Sequence, residues 1–184
     1  FIGGGNMASA LISGLLQQGY AARQLNVVEI NAGSREKLQQ AFGITAVADL
    51  AEGIAASDVI LLSVKPQQLF ELTQKLAPLL KNQLTISIAA GIRATDIMRW
   101  LGGYQRVVRA MPNTPSLVRS GVTGLYAAPS VDARDRTSAE SILAAVGSTL
   151  WVDDEEMLHA VTAISGSGPA YVFYFIEAMQ QAAI

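Results

Sequence analysis

The sequence of 184 residues contains no cysteine and only one histidine, His159. Without cysteine there is neither a disulfide framework nor thiolate chemistry, and a lone histidine makes a metal site improbable, so we expect no metal. Neither sign of charge predominates, because the sequence has 13 Lys+Arg and 15 Asp+Glu, and no basic run stands out. A nucleic acid is therefore not an expected partner.

Long hydrophobic runs are absent as well. No apolar run approaches the roughly 20 residues of a membrane span, and the start shows no secretory signal pattern. We expect no membrane partner and a cytoplasmic location. Both ends fall inside expected elements, "FI" in a strand and "PAYVFYFIEAMQQAAI" in a helix, which is typical of a piece of a longer protein.

Half of the residues, 51%, are apolar, which is enough for a sizeable core. Short β-branched runs alternate with stretches of helical period. The predicted strands are Phe1–Ile2, Leu25–Ile30, Asp58–Val64, Leu84–Ala89, Arg106–Ala110, Thr123–Ala127 and Thr149–Val152. The predicted helices are Met7–Gln18, Ser34–Phe42, Leu50–Ala56, Gln67–Leu80, Ala94–Leu101 and Asp132–Val146. This alternation predicts an α/β fold, a Rossmann-type, doubly wound and mostly parallel sheet.

The pattern changes after Trp151. The stretch "DDEEMLHAVTAI" begins with four acids, which favour a helix N-terminus, and only helical segments follow. We expect a boundary near Val152–Asp153, with a dinucleotide-binding domain over residues 1–152 and the start of an all-helical domain over residues 153–184.

The opening "FIGGGNMA" fits the dinucleotide fingerprint G-x-G-x-x-[GA] through Gly3, Gly5 and Ala8. It follows a strand and precedes an amphipathic helix, as a pyrophosphate-binding turn requires; a purely structural turn is the alternative. The next strand ends in Glu29, about 20 residues on, where an acid holds a ribose hydroxyl of NAD. A solvated strand-end acid is the other reading of Glu29.

The residues just beyond Glu29 leave the cofactor open between NADP and NAD. A carboxylate repels the 2′-phosphate of NADP, yet Asn31, Ser34 and Arg35 are suited to receive it.

Two more segments follow predicted strands at the edge where ligands of such sheets bind. "SVKPQQ" places Lys65 at a strand end before Pro66, facing either the crevice or the solvent. "SIAAGI" ends in small residues that admit a flat ring, or that serve tight helix packing.

Two further segments stand at expected turns. In "RAMPNTP" two prolines bracket Asn113 and Thr114, which makes a rigid loop able to present an amide, or simply a stiff turn. In "SGSGPAYVF" a helix N-terminus with two hydroxyls suits a small carboxylate, the alternative being an ordinary capped hinge.

These motifs, in this order and spacing, resemble the pyrroline-5-carboxylate reductase family along the whole chain. The segments on which the resemblance rests are "FIGGGNMA", "SVKPQ", "SIAAGI", "VVRAMPNTP" and "AISGSGPAYVF". The resemblance implies an oxidoreductase of proline biosynthesis that reduces the cyclic imine 1-pyrroline-5-carboxylate with NADPH or NADH. It also implies that the helical region dimerises, as a homodimer or a larger homo-oligomer, and closes the substrate pocket.

The resemblance assigns the site residue by residue. Cofactor binding is expected at Ile2, Gly3, Gly4, Gly5, Asn6, Met7, Glu29, Asn31, Ser63, Val64, Lys65, Pro66, Ile88, Ala89, Ala90 and Asn113. Lys65 and Asn113 are expected to be catalytic, and Ser165, Gly166, Ser167 and Gly168 to bind the substrate. Aligning a nicotinamide with an imine carbon needs no nucleophile and no metal.

The sequence also departs from the family's pattern. Ala48-Asp49-Leu50 stands where the family often has an Asn against the adenosine, and Glu29-Ile30 where some members have Ser or Arg. The family's Ser-Pro-Gly-Gly-Thr-Thr signature would lie beyond Ile184. The alternatives are a β-hydroxyacid dehydrogenase, against which Gly166–Ile184 offers no lysine, and a non-catalytic dinucleotide-binding protein.

Overall fold

A computed structural model describes residues 1–183 and gives the element boundaries. The helices are α1 (Asn6–Gln17), α2 (Ala32–Phe42), α3 (Leu50–Ile54), α4 (Pro66–Leu76), α5 (Ala94–Trp100), α6 (Ala133–Leu143), α7 (Met157–Val161) and α8 (Gly168–Ala182). The strands are β1 (Asn26–Val28), β2 (Thr45–Val47), β3 (Val59–Leu62), β4 (Leu84–Ser87), β5 (Val107–Met111), β6 (Gly121–Ala127) and β7 (Gly147–Trp151).

The strands form one twisted layer in the order β2-β1-Ile2-β3-β4-β5-β6-β7. Ile2 bridges Val28 on one side and Leu62 on the other, so the predicted first strand consists of a single paired residue. Every pairing is parallel except that of β5 with β6, which confirms the mostly parallel sheet.

Helices cover both faces of this sheet. In β3, Ile60 and Leu62 pack on one face with α4 and α5, whereas Leu61 packs on the other face with α1 and α6. All three side chains are buried because a central parallel strand is covered on both sides. The doubly wound fold is therefore confirmed.

Several predicted boundaries differ from those observed. Strand β2 was not predicted, because three residues between two helices carry too short a pattern. Helix α4 ends at Leu76 and continues only as a 3-10 turn, since Pro78 cannot supply an α-helical hydrogen bond. The expected loop after Asn113 contains a 3-10 helix, Thr114–Val118.

The segment after β7 is helical, as predicted, and α8 begins within "SGSGP", at Gly168. Between α7 and α8 lies a π-helical turn, Thr162–Gly166. Within residues 1–183 no helix is both long and apolar enough to cross a membrane.

Candidate functional site

The glycine turn is held tightly against the end of β3. Gly3 has φ +97°, and a Cβ built on it would lie 2.8 Å from the carbonyl oxygen of Ser63. The Ser63 hydroxyl donates to the carbonyl oxygens of Ile2 and Gly3, at 2.9 and 2.8 Å. Both the backbone angle and the close approach therefore require glycine at position 3.

Beyond this turn the N-terminus of α1 is open. Gly5 is the N-cap residue, and among the described residues no side chain caps the helix. A Cβ built on Gly5 would meet no atom within 4 Å. Backbone N–H groups of the first turn, aided by the helix dipole, suit a pyrophosphate in this space, so the residues present fit a dinucleotide.

Glu29 joins the glycine turn to the loop after β1. Its carboxylate accepts hydrogen bonds from the N–H of Gly4, at 3.0 Å, and from the N–H of Asn31, at 2.9 Å. The guanidinium of Arg35 donates to the carbonyl oxygens of Glu29 and Ile30, at 2.8 and 3.0 Å. An acid is thus fixed beside the turn, where a ribose hydroxyl of the cofactor would lie.

The ends of β3 and β4 adjoin the same turn. A Cβ on Gly3 would lie 3.2 Å from Val64, and the N–H of Ile88 donates to the carbonyl of Leu62 at 3.2 Å. Lys65 caps α4 with an exposed side chain that makes no ion pair within residues 1–183. The structure therefore brings the predicted cofactor residues of three strand ends to one edge.

Asn113 belongs to a different cluster. It is buried, its Nδ2 donates to the carbonyl of Ser165 at 3.0 Å, and its Oδ1 accepts from the N–H of Val122 at 2.9 Å. Both ends of the amide thus bind the protein backbone.

The expected free N–H groups of "SGSGP" are not all free. The N–H of Ser167 donates to the carbonyl of Thr162 at 2.8 Å, because a π-helical turn ends directly before α8 begins. The Ser165 hydroxyl donates to the carbonyl of Val161 at 2.9 Å. Helix α8 begins at Gly168 with Pro169 in its first turn, as predicted, but the π-helical turn before it takes up part of the N–H groups expected to be free.

A buried ion pair beneath this cluster was missed. Arg109 of β5 donates to Oε1 of Glu155 at 2.8 Å, and the same oxygen accepts from the N–H of Ala94 at 2.7 Å. The acids before α7 were interpreted as stabilising their own helix, whereas Glu155 caps α5. The signal was the lone arginine in the apolar run "VVRAM", since a buried charge requires a partner.

Other features that could form a functional site lie away from this edge of the sheet. A cavity of about 410 Å³ is lined by Phe1, Leu25 and Asp58, at the amino ends of the strands, opposite the glycine turn. Exposed His159 lies 3.5 Å from Glu156. No cluster of histidine, aspartate and glutamate suited to a metal occurs in residues 1–183.

Comparison with known proteins identifies the family. The family model described as NADP oxidoreductase, coenzyme F420-dependent, matches residues 1–91, and that of pyrroline-5-carboxylate reductase dimerisation matches residues 155–184. A pyrroline-5-carboxylate reductase of Pseudomonas aeruginosa is 50% identical over 183 residues, covering 99% of this chain and 67% of that protein. The chain belongs to the pyrroline-5-carboxylate reductase family. A relative of the same name from Haemophilus influenzae is 45% identical, covering 100% of this chain and 68% of that protein.

Solved structures of pyrroline-5-carboxylate reductases share this fold. That of Coxiella burnetii superposes with a TM-score of 0.93 at 42% identity, covering 100% of this chain and 68% of that one. That of Plasmodium falciparum, solved with NADP bound, has a TM-score of 0.85 at 27% identity, and the match covers 100% of this chain and 67% of that one. Membership of the pyrroline-5-carboxylate reductase family is thus supported by sequence and by fold.

Proposed function

We propose that this protein reduces 1-pyrroline-5-carboxylate to proline with a nicotinamide dinucleotide. The observation that carries the proposal is the 50% identity, along 99% of the chain, with a protein of that name. The geometry supports it, because an open helix N-terminus and an acid at the next strand end together suit a dinucleotide.

Different residues of the chain would bind different parts of the cofactor. Ile2 to Met7 hold the pyrophosphate, Glu29 and Asn31 the adenosine ribose, and the ends of β3 and β4 the nicotinamide side. The bound dinucleotide supplies a hydride. With the imine nitrogen protonated, addition of this hydride to the imine carbon would reduce the C=N bond to the amine of proline, and the nicotinamide would leave oxidised.

We propose a preference for NADH over NADPH. The Glu29 carboxylate already occupies the N–H groups of Gly4 and Asn31, which a 2′-phosphate would need. The groups suited to bind such a phosphate are engaged elsewhere, since the Asn31 side chain accepts from Ser34 N–H at 2.9 Å and Arg35 donates to two carbonyls. A dianion placed there would meet the carboxylate and be repelled.

We also propose that residues 1–152 bind the dinucleotide and that the helical region from residue 153 dimerises with a second copy. Helix α8 exposes an apolar surface in which Tyr174 is 76% and Phe173 68% accessible. Surfaces of this kind mark association sites, and the family model matching residues 155–184 is one of dimerisation.

The test is to follow NADH and NADPH oxidation by the purified protein with 1-pyrroline-5-carboxylate, and to identify proline as product. We expect turnover with both cofactors and a higher kcat/KM with NADH. As a control, a 2-hydroxy acid with NAD⁺ should give no turnover. Turnover of the hydroxy acid without imine reduction would contradict the proposal and favour a hydroxyacid dehydrogenase.

A further inference from the structure

Where the π-helical turn meets α8, the carbonyl of Ser165 lacks its α-helical partner. In an α-helix the carbonyl of Ser165 would accept from the N–H of the residue four positions on. That residue is Pro169, which has no N–H. The turn also shifts the neighbouring hydrogen bond, since Ser167 N–H reaches back five residues to Thr162.

The side chain of Asn113 supplies the missing donor. Its Nδ2 lies 3.0 Å from the Ser165 carbonyl oxygen, and its Oδ1 lies 2.9 Å from the backbone nitrogen of Val122. The two partners fix the orientation of the amide, because a carbonyl only accepts and an N–H only donates. Asn113 is 7% exposed, so water has little access to replace these bonds.

A second link fixes the same helical region closer to its start. Glu155 precedes α7 and binds both Arg109 of β5 and the first residue of α5. Leu158 of α7 is fully buried. The helical region is thus attached to the sheet before α7 through Glu155 and again at Ser165 through Asn113, which is the attachment nearer to Ser165–Gly168.

We propose that Asn113 is a positioning residue that holds the carbonyl freed by Pro169 and thereby fixes the Ser165–Gly168 segment beside the site of the imine. Within residues 1–183 the Ser167 hydroxyl has no protein partner and remains available to such a ligand. The proposal rests on the imine reductase function for its kinetic readout. It replaces the expectation that Asn113 is catalytic, because its amide binds protein groups at both ends.

The test is a double-mutant cycle with Asn113→Ala and Pro169→Ala, made in the protein that shows the reductase activity. Asn113→Ala leaves both the Ser165 carbonyl and the Val122 N–H unpaired. Loss of the Ser165 contact should raise the KM for the imine about tenfold, and the KM for NADH should stay within about twofold. In the Pro169→Ala background the new N–H at position 169 can bind the Ser165 carbonyl, so Asn113→Ala should then cost less than about threefold.

Controls separate positioning from other roles. Asn82→Ala, at an exposed asparagine, should change neither constant and should show no coupling to position 169. Equal losses in both backgrounds, or a fall in kcat alone, would overturn the proposal and assign Asn113 to the reacting groups. A loss of stability with unchanged constants for the folded enzyme would also overturn it, in favour of a merely structural role.

A second variant keeps the test valid if Asn113→Ala folds poorly, and a second measurement keeps it valid if the protein shows no reductase activity. Asn113→Asp keeps the acceptor for Val122 but places an oxygen against the Ser165 carbonyl, so it should raise the KM for the imine at least as much as Asn113→Ala does. If the unsubstituted protein fails to reduce the imine, the proposed function fails. The coupling between positions 113 and 169 is then measured in the free energy of unfolding, where its absence would overturn the contact itself.

Discussion

Glu29 and Gly4 are joined by a hydrogen bond of 3.0 Å between the carboxylate and the backbone N–H, across the gap between two parallel strands. The other oxygen of the carboxylate accepts from Asn31, so Glu29 ties the glycine turn to the loop after β1. This single acid therefore shapes the turn and sets the charge at the ribose position.

Replacing Glu29 should change cofactor preference. In Glu29→Gln one oxygen still accepts a hydrogen bond while the negative charge is removed, so the ratio of NADPH to NADH affinity should rise about tenfold. Titration of each cofactor by fluorescence measures the ratio. Glu36→Gln, on the exposed side of α2, is the matched control and should leave the ratio unchanged. If the ratio of NADPH to NADH affinity is unchanged in Glu29→Gln, Glu29 is only a solvated acid at the end of β1 and does not set cofactor preference.

The pair Gly3→Ala and Gly5→Ala should separate folding from binding. Gly5→Ala meets no protein atom and keeps an ordinary backbone angle, so the free energy of unfolding should fall by about 1 kcal/mol or less, whereas dinucleotide affinity should fall at least about tenfold. Gly3→Ala should lower stability by more than about 1 kcal/mol, because φ +97° is strained and Ser63 lies too close. Calorimetry measures the stability of each variant and cofactor titration its dinucleotide affinity. Unchanged affinity in Gly5→Ala would refute the dinucleotide site at the glycine turn.

Breaking the buried pair of Arg109 and Glu155 should be costly. Their side chains are 3% and 13% exposed, so Glu155→Gln leaves a buried guanidinium without its counter-charge and should lower the free energy of unfolding by about 3 kcal/mol. Adding Arg109→Met should recover part of this loss. The matched control is Glu156→Gln, which breaks an exposed pair with Arg93 and should cost about 1 kcal/mol or less. Equal costs for the two glutamates, in denaturant unfolding, would contradict the prediction.

A charge on α8 should weaken association. Phe173→Glu places a carboxylate in the exposed apolar surface and should raise the dissociation constant of the homo-oligomer at least about tenfold, since burial of the phenyl ring is lost. Sedimentation over a range of concentrations measures this constant. Gln180→Glu adds the same charge at an exposed polar position of the same helix and should have a much smaller effect. An unchanged constant in Phe173→Glu would place the interface elsewhere.

Local patterns were sufficient for most of the sheet and for the glycine turn. The run "DVILLSV" predicted a strand covered on both faces, and β3 is buried on both because its neighbours are parallel. Gly3 and Gly5 predicted a turn before a helix, since backbone angles and close approach depend on the residues themselves. The three-residue strand β2 was not predictable in this way, because its pairing with β1 comes from the sheet.

The polar contacts of the helical region were decided only by the tertiary structure. The sequence by itself determined that Pro169 cannot donate to the Ser165 carbonyl, but not that Asn113, 52 positions earlier, would do so. The arginine in the apolar run "VVRAM" needs a partner, but only the packing of α7 on the sheet brought Glu155, one of four consecutive acids, to it. The physical reason is range: periodicity and turn chemistry act within a few residues, whereas a buried polar group is satisfied by whichever group the fold brings within about 3 Å.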